Sequence, residues 1–178
     1  MISSDSHIIE PPDLWTSRID GEWRDRAPHV VEDPATHEQW WIVGSQRTLS
    51  FAGGAQTGDR FVNPIDLRTG ARFEQVRPGG YDPVAHLADN KEDGVTGAVL
   101  YPTEGLLLYT QSDSGLLSAC CRAYNDFLAE FCRAAPNRLK GVAMINTDDI
   151  GEAVAEMERA RALGLDGALI PTAAPPER

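Results

Sequence analysis

The alternation of apolar runs with helical patterns after residue 82 restricts the fold most strongly. Apolar runs of strand length occupy residues 95–101, 139–145 and 168–170, and a helical pattern separates each run from the next. This spacing predicts crossover connections and a parallel sheet. Because the runs are apolar nearly throughout, both faces of the sheet should be covered, as in barrels and doubly wound sheets.

Capping residues mark where the three helical patterns begin. Asp82 is an N-cap candidate followed by Pro at the first helical position, and Gly94 is a stop signal. The long second pattern starts at residues 112–114 and ends before Pro136. The third starts at Asp149 and ends at Gly164. The second pattern carries apolar residues at spacings of three and four, which predicts one buried stripe: Leu117, Cys121, Tyr124, Leu128 and Phe131.

The N-terminal part adds one strand and a long insertion. A strand is predicted at residues 2–8, and residues from about 20 to 80 form a loop-rich insertion after it. Two β-prone runs, 39–43 and 47–51, flank Gly44-Ser45 and predict a small hairpin. We expect the insertion to lie outside the parallel sheet at its C-terminal end, as a lid or partner surface. Trp40 and Trp41 should face opposite sides of their strand, with one of them buried.

Composition limits the class of protein and its partners. The chain has 178 residues, 42% hydrophobic and 24% charged, which fits a single folded domain spanning residues 1–178. The net charge of −11 argues against nucleic acid and membrane as partners. No signal peptide and no apolar run of about 20 residues is visible, so we expect a cytoplasmic protein. The three cysteines, all within the second helical pattern, are interpreted as small buried side chains.

The first strand carries the candidate metal ligands. Ser3, Asp5 and His7 should share one face because side chains alternate along a strand. Asp5 and His7 then lie at the C-terminal end, where parallel barrels form their active sites. A carboxylate oxygen and an imidazole nitrogen can bind one divalent cation. The alternative interpretation is a strand end with a turn-forming Asp and a partly exposed His, since Asp-x-His is a common pattern.

A longer string around these residues indicates a family. Residues 4–15, Ser-Asp-Ser-His-Ile-Ile-Glu-Pro-Pro-Asp-Leu-Trp, resemble the opening of the amidohydrolase-related family. That family includes the aminocarboxymuconate-semialdehyde decarboxylase-like enzymes and several aromatic-acid decarboxylases. Further segments resemble the family in the same order along nearly the whole chain: residues 79–83, 93–95, 99–103, 122–128, 136–139 and 167–171.

The resemblance implies a (β/α)₈ TIM barrel with one catalytic metal. By resemblance, Asp5 and His7 match the two ligands of the first strand, where many relatives have His-x-His or Glu-x-His. The metal is predicted to be zinc, with manganese as the alternative. Relatives with two bridged metals carry a carboxylated Lys after the fourth strand; here Ile170-Pro171-Thr172 contains no Lys, which favours one metal.

The sequence holds about four strands, so the resemblance covers the N-terminal half of a barrel. It also implies a His after a fifth strand and an Asp after an eighth, and neither strand is present. The remaining histidines, His29, His37 and His86, are interpreted as structural or surface residues.

Other polar residues near the first strand have two interpretations each. Glu10 is expected either to accept a hydrogen bond from His7 or to be an exposed or capping residue. Arg18, Arg24 and Arg26 could bind a substrate carboxylate over the mouth of the site. The alternative for each arginine is a solvated surface position.

Three hypotheses about function follow. The first is a metal-dependent hydrolase or non-oxidative decarboxylase of small carboxylate or amide substrates, present as an N-terminal fragment that is inactive alone. Its catalytic acid and base are not identified. The second is a non-catalytic half-barrel that forms homo-oligomers or binds a complementing half-barrel. The third, a doubly wound flavodoxin-like domain, ranks lower because Pro11-Pro12 stands where a Gly-rich phosphate loop would follow the first strand.

Overall fold

The computed structural model describes residues 1–51 and 72–172. Its α-helices and strands are, in chain order, β1 (Ile2–His7), α1 (Leu14–Arg18), β2 (His29–Glu32), β3 (Gln39–Val43), β4 (Gln46–Ser50), α2 (Pro83–Glu92), β5 (Gly97–Tyr101), α3 (Gly105–Leu108), α4 (Ser114–Cys132), β6 (Leu139–Met144), α5 (Ile150–Ala162) and β7 (Gly167–Leu169). Short 3₁₀ turns lie at Gly21–Arg26, Phe73–Gln75 and Pro78–Gly80.

A four-stranded parallel sheet forms the centre of the molecule. Its order is β1-β5-β6-β7, and every neighbouring pair is parallel. The predicted parallel pairing of the three C-terminal strands is therefore confirmed. The strand order follows the chain, with helices in the crossovers, which is the arrangement of consecutive units in a (β/α)₈ barrel.

The helices begin where the capping residues predict. The side chains of Asp82, Asp113 and Asp149 each accept a hydrogen bond from the backbone N–H three residues ahead, at the starts of α2, α4 and α5. Gly94 and Gly164 follow α2 and α5 with φ of 70° and 96°, a backbone conformation that favours glycine. The predicted N-caps and the two glycine stop signals are therefore confirmed.

The core lies between α4 and the parallel sheet. The predicted stripe of α4 is buried, and Tyr124 and Leu128 have no exposed surface. The indole N–H of Trp15, from α1, donates to the Cys120 carbonyl on α4 at 3.2 Å. All three cysteines are buried and unpaired, and burial raises the pKa of the Cys120 and Cys132 thiols to about 12. They are side chains of the core, as their helical spacing predicts.

The insertion contains a separate antiparallel sheet in the order β2-β3-β4. The predicted hairpin is confirmed as β3 and β4, turning at Gly44 with a φ of 62°. Strand β2 was not predicted. It has only four residues, and it forms a strand because it pairs with β3. Residues 52–71 of the insertion lie outside the described residues.

The two tryptophans of β3 face different surroundings. Trp41 is buried edge-on against Trp15, with ring centroids 5.1 Å apart, so the small sheet is attached to α1. Trp40 is half-buried, and the Arg47 guanidinium lies over its ring at 5.2 Å. The prediction that one of the pair is buried is therefore confirmed.

None of the helices within residues 1–51 and 72–172 is both long and apolar enough to cross a membrane.

Candidate metal centre

A bulge in β1 determines which side chains share a face. Ser3 is opposite Ala98 and Ser6 is opposite Leu100, so three steps along β1 match two steps along β5. The extra residue changes the alternation of side chains. The Ser6 hydroxyl donates to the Ser3 hydroxyl at 2.8 Å. The expectation that Ser3 shares a face with both Asp5 and His7 through strict alternation is therefore wrong.

Asp5 lies within this irregularity and His7 follows it, and the two side chains come together. The His7 Nε2 atom lies 3.5 Å from the Asp5 Oδ1 atom. The other ring nitrogen, Nδ1, is 2.7 Å from the carbonyl oxygen of Pro102, which directly follows β5. Because a carbonyl only accepts, Nδ1 carries a hydrogen in this bond, and Nε2 is the ring nitrogen that faces Asp5.

This pair has the donor types of a divalent-metal site. An imidazole nitrogen whose other N–H is fixed by a backbone carbonyl is the usual arrangement of a metal-binding His. The side chains of His7 and Asp5 are 42% and 79% exposed, so a ligand from outside can reach both. Within residues 1–51 and 72–172, no group of three His, Cys, Asp or Glu side chains could hold a metal. Asp5 and His7 therefore fit as part of a site.

Glu10 positions the backbone that holds His7. Its buried carboxylate accepts hydrogen bonds from the backbone N–H groups of Thr103, Glu104 and Gly105, each at 3.0 Å. Burial raises the pKa of Glu10, and these N–H groups oppose the rise. The expected bond from His7 is wrong, because the His7 N–H donates to Pro102. Capping, the alternative, is confirmed: Glu10 fixes the turn after β5 that contains Pro102.

The arginines expected over the site are divided between ion pairs and solvent. Arg18 pairs with Glu130 at 2.6 Å, and Arg26 pairs with Asp113 at 2.7 Å. Both partners belong to α4 or its cap, so these charges are already matched at the surface. Arg24 is exposed and has no ion pair with any side chain in the described ranges. These contacts favour the surface interpretation over a substrate clamp.

The other histidines make local contacts. His29 Nδ1 bonds with the Ala27 carbonyl, and His37 pairs with Glu32 at 2.8 Å on the surface. His86 is buried, bonds with the Gly79 carbonyl and packs edge-on against Phe131. The structure brings none of these three together with Asp5 and His7.

Sequence reasoning missed Glu104, which lies two residues beyond Pro102. It is 1% exposed, and its Oε1 atom is 2.5 Å from the Thr48 hydroxyl on β4. The pKa of Glu104 is raised to about 8, chiefly by burial and in smaller part by the nearby Glu10, while the Thr48 bond acts in the opposite direction. A Glu in a turn normally faces solvent. The only sequence signal was its place directly after a strand of the parallel sheet.

Comparisons with known proteins find this fold in solved structures. No protein-family model and no curated protein matches the sequence. The chain is similar to an amidohydrolase from Mycobacterium avium subsp. paratuberculosis K-10, with 21% identity, a TM-score of 0.70, and coverage of 92% of this chain and 46% of that one. It is also similar to a 2,6-dihydroxybenzoate decarboxylase from Rhizobium, with 17% identity, a TM-score of 0.51, and coverage of 97% and 38%.

The coverage shows how much of the larger fold is present. The chain spans less than half the length of either structure, while nearly all of it is matched. The first of these structures is an amidohydrolase and the second is a decarboxylase. With its four parallel strands in chain order, the chain has the fold of the N-terminal half of a (β/α)₈ barrel.

Proposed function

We propose that Asp5 and His7 are two ligands of a single divalent metal, zinc or alternatively manganese, in a metal-dependent hydrolase or non-oxidative decarboxylase. The observation that carries this proposal is the His7 ring: the Pro102 carbonyl holds Nδ1 at 2.7 Å, and Nε2 lies 3.5 Å from Asp5 Oδ1. The substrate class is a small carboxylate or amide. The fold that the chain shares with amidohydrolase-superfamily enzymes supports this choice.

The residues on β1 supply binding and orientation. When bound, a metal of this type polarises a substrate carbonyl or lowers the pKa of a bound water. Asp5 contributes negative charge and an oxygen donor. His7 contributes a nitrogen donor whose tautomer is set by Pro102. Glu10 and its three N–H partners keep the Pro102 turn in place.

The complete site needs further ligands. Catalytic zinc sites typically use three protein ligands, and β1 supplies two. We therefore propose that the remaining ligands and the catalytic acid or base come from a complementing half-barrel. The 178-residue chain alone should bind metal weakly and show no turnover.

Metal titration of the chain tests the assignment of the ligands. Zinc binding is measured by calorimetry for the wild type, Asp5→Asn and His7→Gln. We expect weak binding that each substitution lowers at least tenfold, since even loss of a partner that orients a ligand costs 10–100-fold in affinity. His37→Gln is the matched control, because it removes a second exposed His–carboxylate pair.

Three outcomes of this titration are distinct. Loss of binding in the two β1 variants and retention in His37→Gln support the proposal. Equal affinity in all four proteins would contradict it. Tight, stoichiometric zinc in the monomeric wild-type chain would contradict the claim that ligands are missing.

Product analysis separates the two reaction classes. The chain is combined with a complementing half-barrel, and 2,6-dihydroxybenzoate, which is bound in one structure of the similar decarboxylase, is offered beside simple carboxylic amides. Release of CO₂ identifies a decarboxylase. Release of amine identifies a hydrolase.

The second candidate function is a non-catalytic half-barrel that associates with another chain. Within the described residues, β1 and β7 each pair with one strand only, so each has an open edge. Beside β7, three large apolar side chains are exposed on α5: Ile150, Val154 and Met157. An open edge beside an apolar helix stripe favours association with a second half-barrel or a second copy of the chain.

Sedimentation equilibrium tests this association. We expect a dimer or larger species for the wild type and a shift towards monomer for Val154→Glu. Ala155→Glu, the control, makes the same charge change beside the stripe and should leave the mass unchanged. A wild-type chain that is monomeric at high concentration would contradict the second candidate.

A further inference from the structure

Glu104 connects the two sheets of the molecule. It follows β5 on the barrel side, and its carboxyl group reaches Thr48 on β4 of the small sheet. The pair is separated by 56 residues along the chain. This contact does not involve the side chains of Asp5 and His7, and it joins the β2-β3-β4 sheet to the turn that follows β5.

Hydrogen-bond counting indicates where a proton lies. The Thr48 hydroxyl has one hydrogen and faces two oxygens, Glu104 Oε1 at 2.5 Å and the Trp41 carbonyl at 3.3 Å. If Glu104 is ionised, both neighbours only accept, so the single Thr48 hydrogen cannot serve both of them. If Glu104 is protonated, it donates to Thr48, and Thr48 donates to Trp41. The protonated form therefore lets the Thr48 hydroxyl bond with both neighbours.

The surroundings of Glu104 disfavour a negative charge. Its Oε2 atom is buried and has no hydrogen-bond partner in the part of the chain that the structure describes. A small cavity beside it is lined by four apolar residues, Ile9, Trp41, Leu49 and Phe51, together with Glu10, Ser50 and Thr103. A buried ionised oxygen without a partner is costly, whereas a neutral carboxyl is far less so.

The titratable groups near Glu104 also favour its neutral form. Glu10, on the segment after β1, accepts three N–H bonds, which favour a carboxylate there over one at Glu104. Tyr124 on α4 has a buried hydroxyl, and burial, followed by the charge of Glu10, raises its pKa well above the ordinary value. In residues 1–51 and 72–172, no Lys or Arg forms an ion pair with Glu104 or Glu10. Burial, joined by the charge of Glu10, raises the pKa of Glu104 to about 8.

We propose that Glu104 is a proton-dependent latch that holds the β2-β3-β4 sheet against the C-terminal end of the parallel sheet. In the closed form the proton is bound between Glu104 and Thr48. When the small sheet opens, Glu104 meets water and releases that proton to the solvent. Opening is therefore favoured as the pH rises towards the pKa of the closed form, and the β2-β3-β4 sheet becomes a pH-sensitive cover of the β1 end.

The sign of the effect follows from the two pKa values. The pKa in the open form is near the ordinary 4.5, and in the closed form it is about 8. The stabilisation is complete below pH 4.5 and is lost as the pH rises through about 8. Between these values the opening constant should rise about tenfold per pH unit, and above them it should level off.

Pulsed hydrogen exchange tests the latch without any metal. Exchange of β3 and β4 peptides is measured by mass spectrometry from pH 6 to 9.5 and corrected for the intrinsic rate. For the wild type we expect the rise and plateau just described. Glu104→Gln keeps a neutral donor to Thr48 and should make the opening constant flat over this range.

A matched control separates the latch from a general effect of a buried Glu. Glu156 is also buried, but unlike Glu104 it has an ion-pair partner, Arg159, at 2.8 Å. Glu156→Gln should retain the rise of the wild type. The same slope in Glu104→Gln, or no slope in the wild type, would overturn the proposal. Either result leaves the metal titration of β1 unaffected, so failure of the latch and failure of the proposed function are distinguishable.

Discussion

Asn125 shows how one buried residue can join three elements. It lies on α4 with no exposed surface, and its Nδ2 atom donates to the Met144 carbonyl of β6 and to Glu156 of α5, at 2.9 and 2.8 Å. Its Oδ1 atom accepts from the Met144 N–H at 2.8 Å. A primary amide can donate and accept in this way at one position. These bonds therefore fix the end of β6 relative to α4 and α5.

Replacement of Asn125 should be strongly destabilising. Asn125→Ala leaves the Met144 N–H and carbonyl buried without their partner, and we expect a loss of about 3 kcal/mol in the free energy of unfolding. Urea denaturation measures it. The exposed Asn137→Ala is the control and should change stability by less than about 0.5 kcal/mol. A similar small loss for Asn125→Ala would contradict the role given to this network.

Single residues also show which features could be predicted from the sequence and which could not. The pattern identified Asp5 and His7 as neighbours because their separation is local. The pattern left two interpretations of Glu10 open, because the three N–H groups that Glu10 binds lie more than 90 residues ahead of it. Glu104 was missed for the same reason. A buried carboxyl is defined by partners from other elements, and no local spacing encodes them.

At the scale of elements, the regular units were predictable and their irregularities were not. Caps and apolar periodicity predicted α2, α4, α5 and the parallel strands. The bulge in β1 was not predicted, because residues 3–6 contain no Gly or Pro as a turn signal and the register depends on β5. The four-residue β2 likewise exists through its pairing with β3.

The close approach of β6 and α4 gives an element-scale prediction. A Cβ atom at Gly141 would lie 2.6 Å from Leu165 and 2.9 Å from Leu128, so only glycine fits beneath these side chains. Gly141→Ala should destabilise the fold by about 1–3 kcal/mol through overpacking. Thermal or urea unfolding measures the change.

Gly21 provides the control for this substitution. A Cβ atom there has no neighbour within 4 Å among the described atoms, and its φ does not require glycine. Gly21→Ala should leave stability unchanged or slightly raised. Equal effects of the two substitutions would show that the spacing of β6 and α4 does not limit the side chain at residue 141.

At the scale of the whole molecule, the sequence predicted the architecture because it is repetitive. Each βα unit carries its own signals, and three such units followed by a fourth strand give the strand order of a half-barrel. The metal centre was predictable only in part. Its first two ligands lie on one strand, whereas further ligands of a barrel site come from other strands of the whole barrel.

Nitrogen-15 NMR of histidine during a zinc titration shows which histidine binds the metal and through which ring nitrogen. We expect that free His7 carries its hydrogen on Nδ1 and that zinc shifts the Nε2 signal of His7. The signals of His29, His37 and His86 should not move, and Asp5→Asn should weaken the response of His7. Zinc-dependent shifts at another histidine with His7 unchanged would contradict the assignment of β1 as the metal-binding strand.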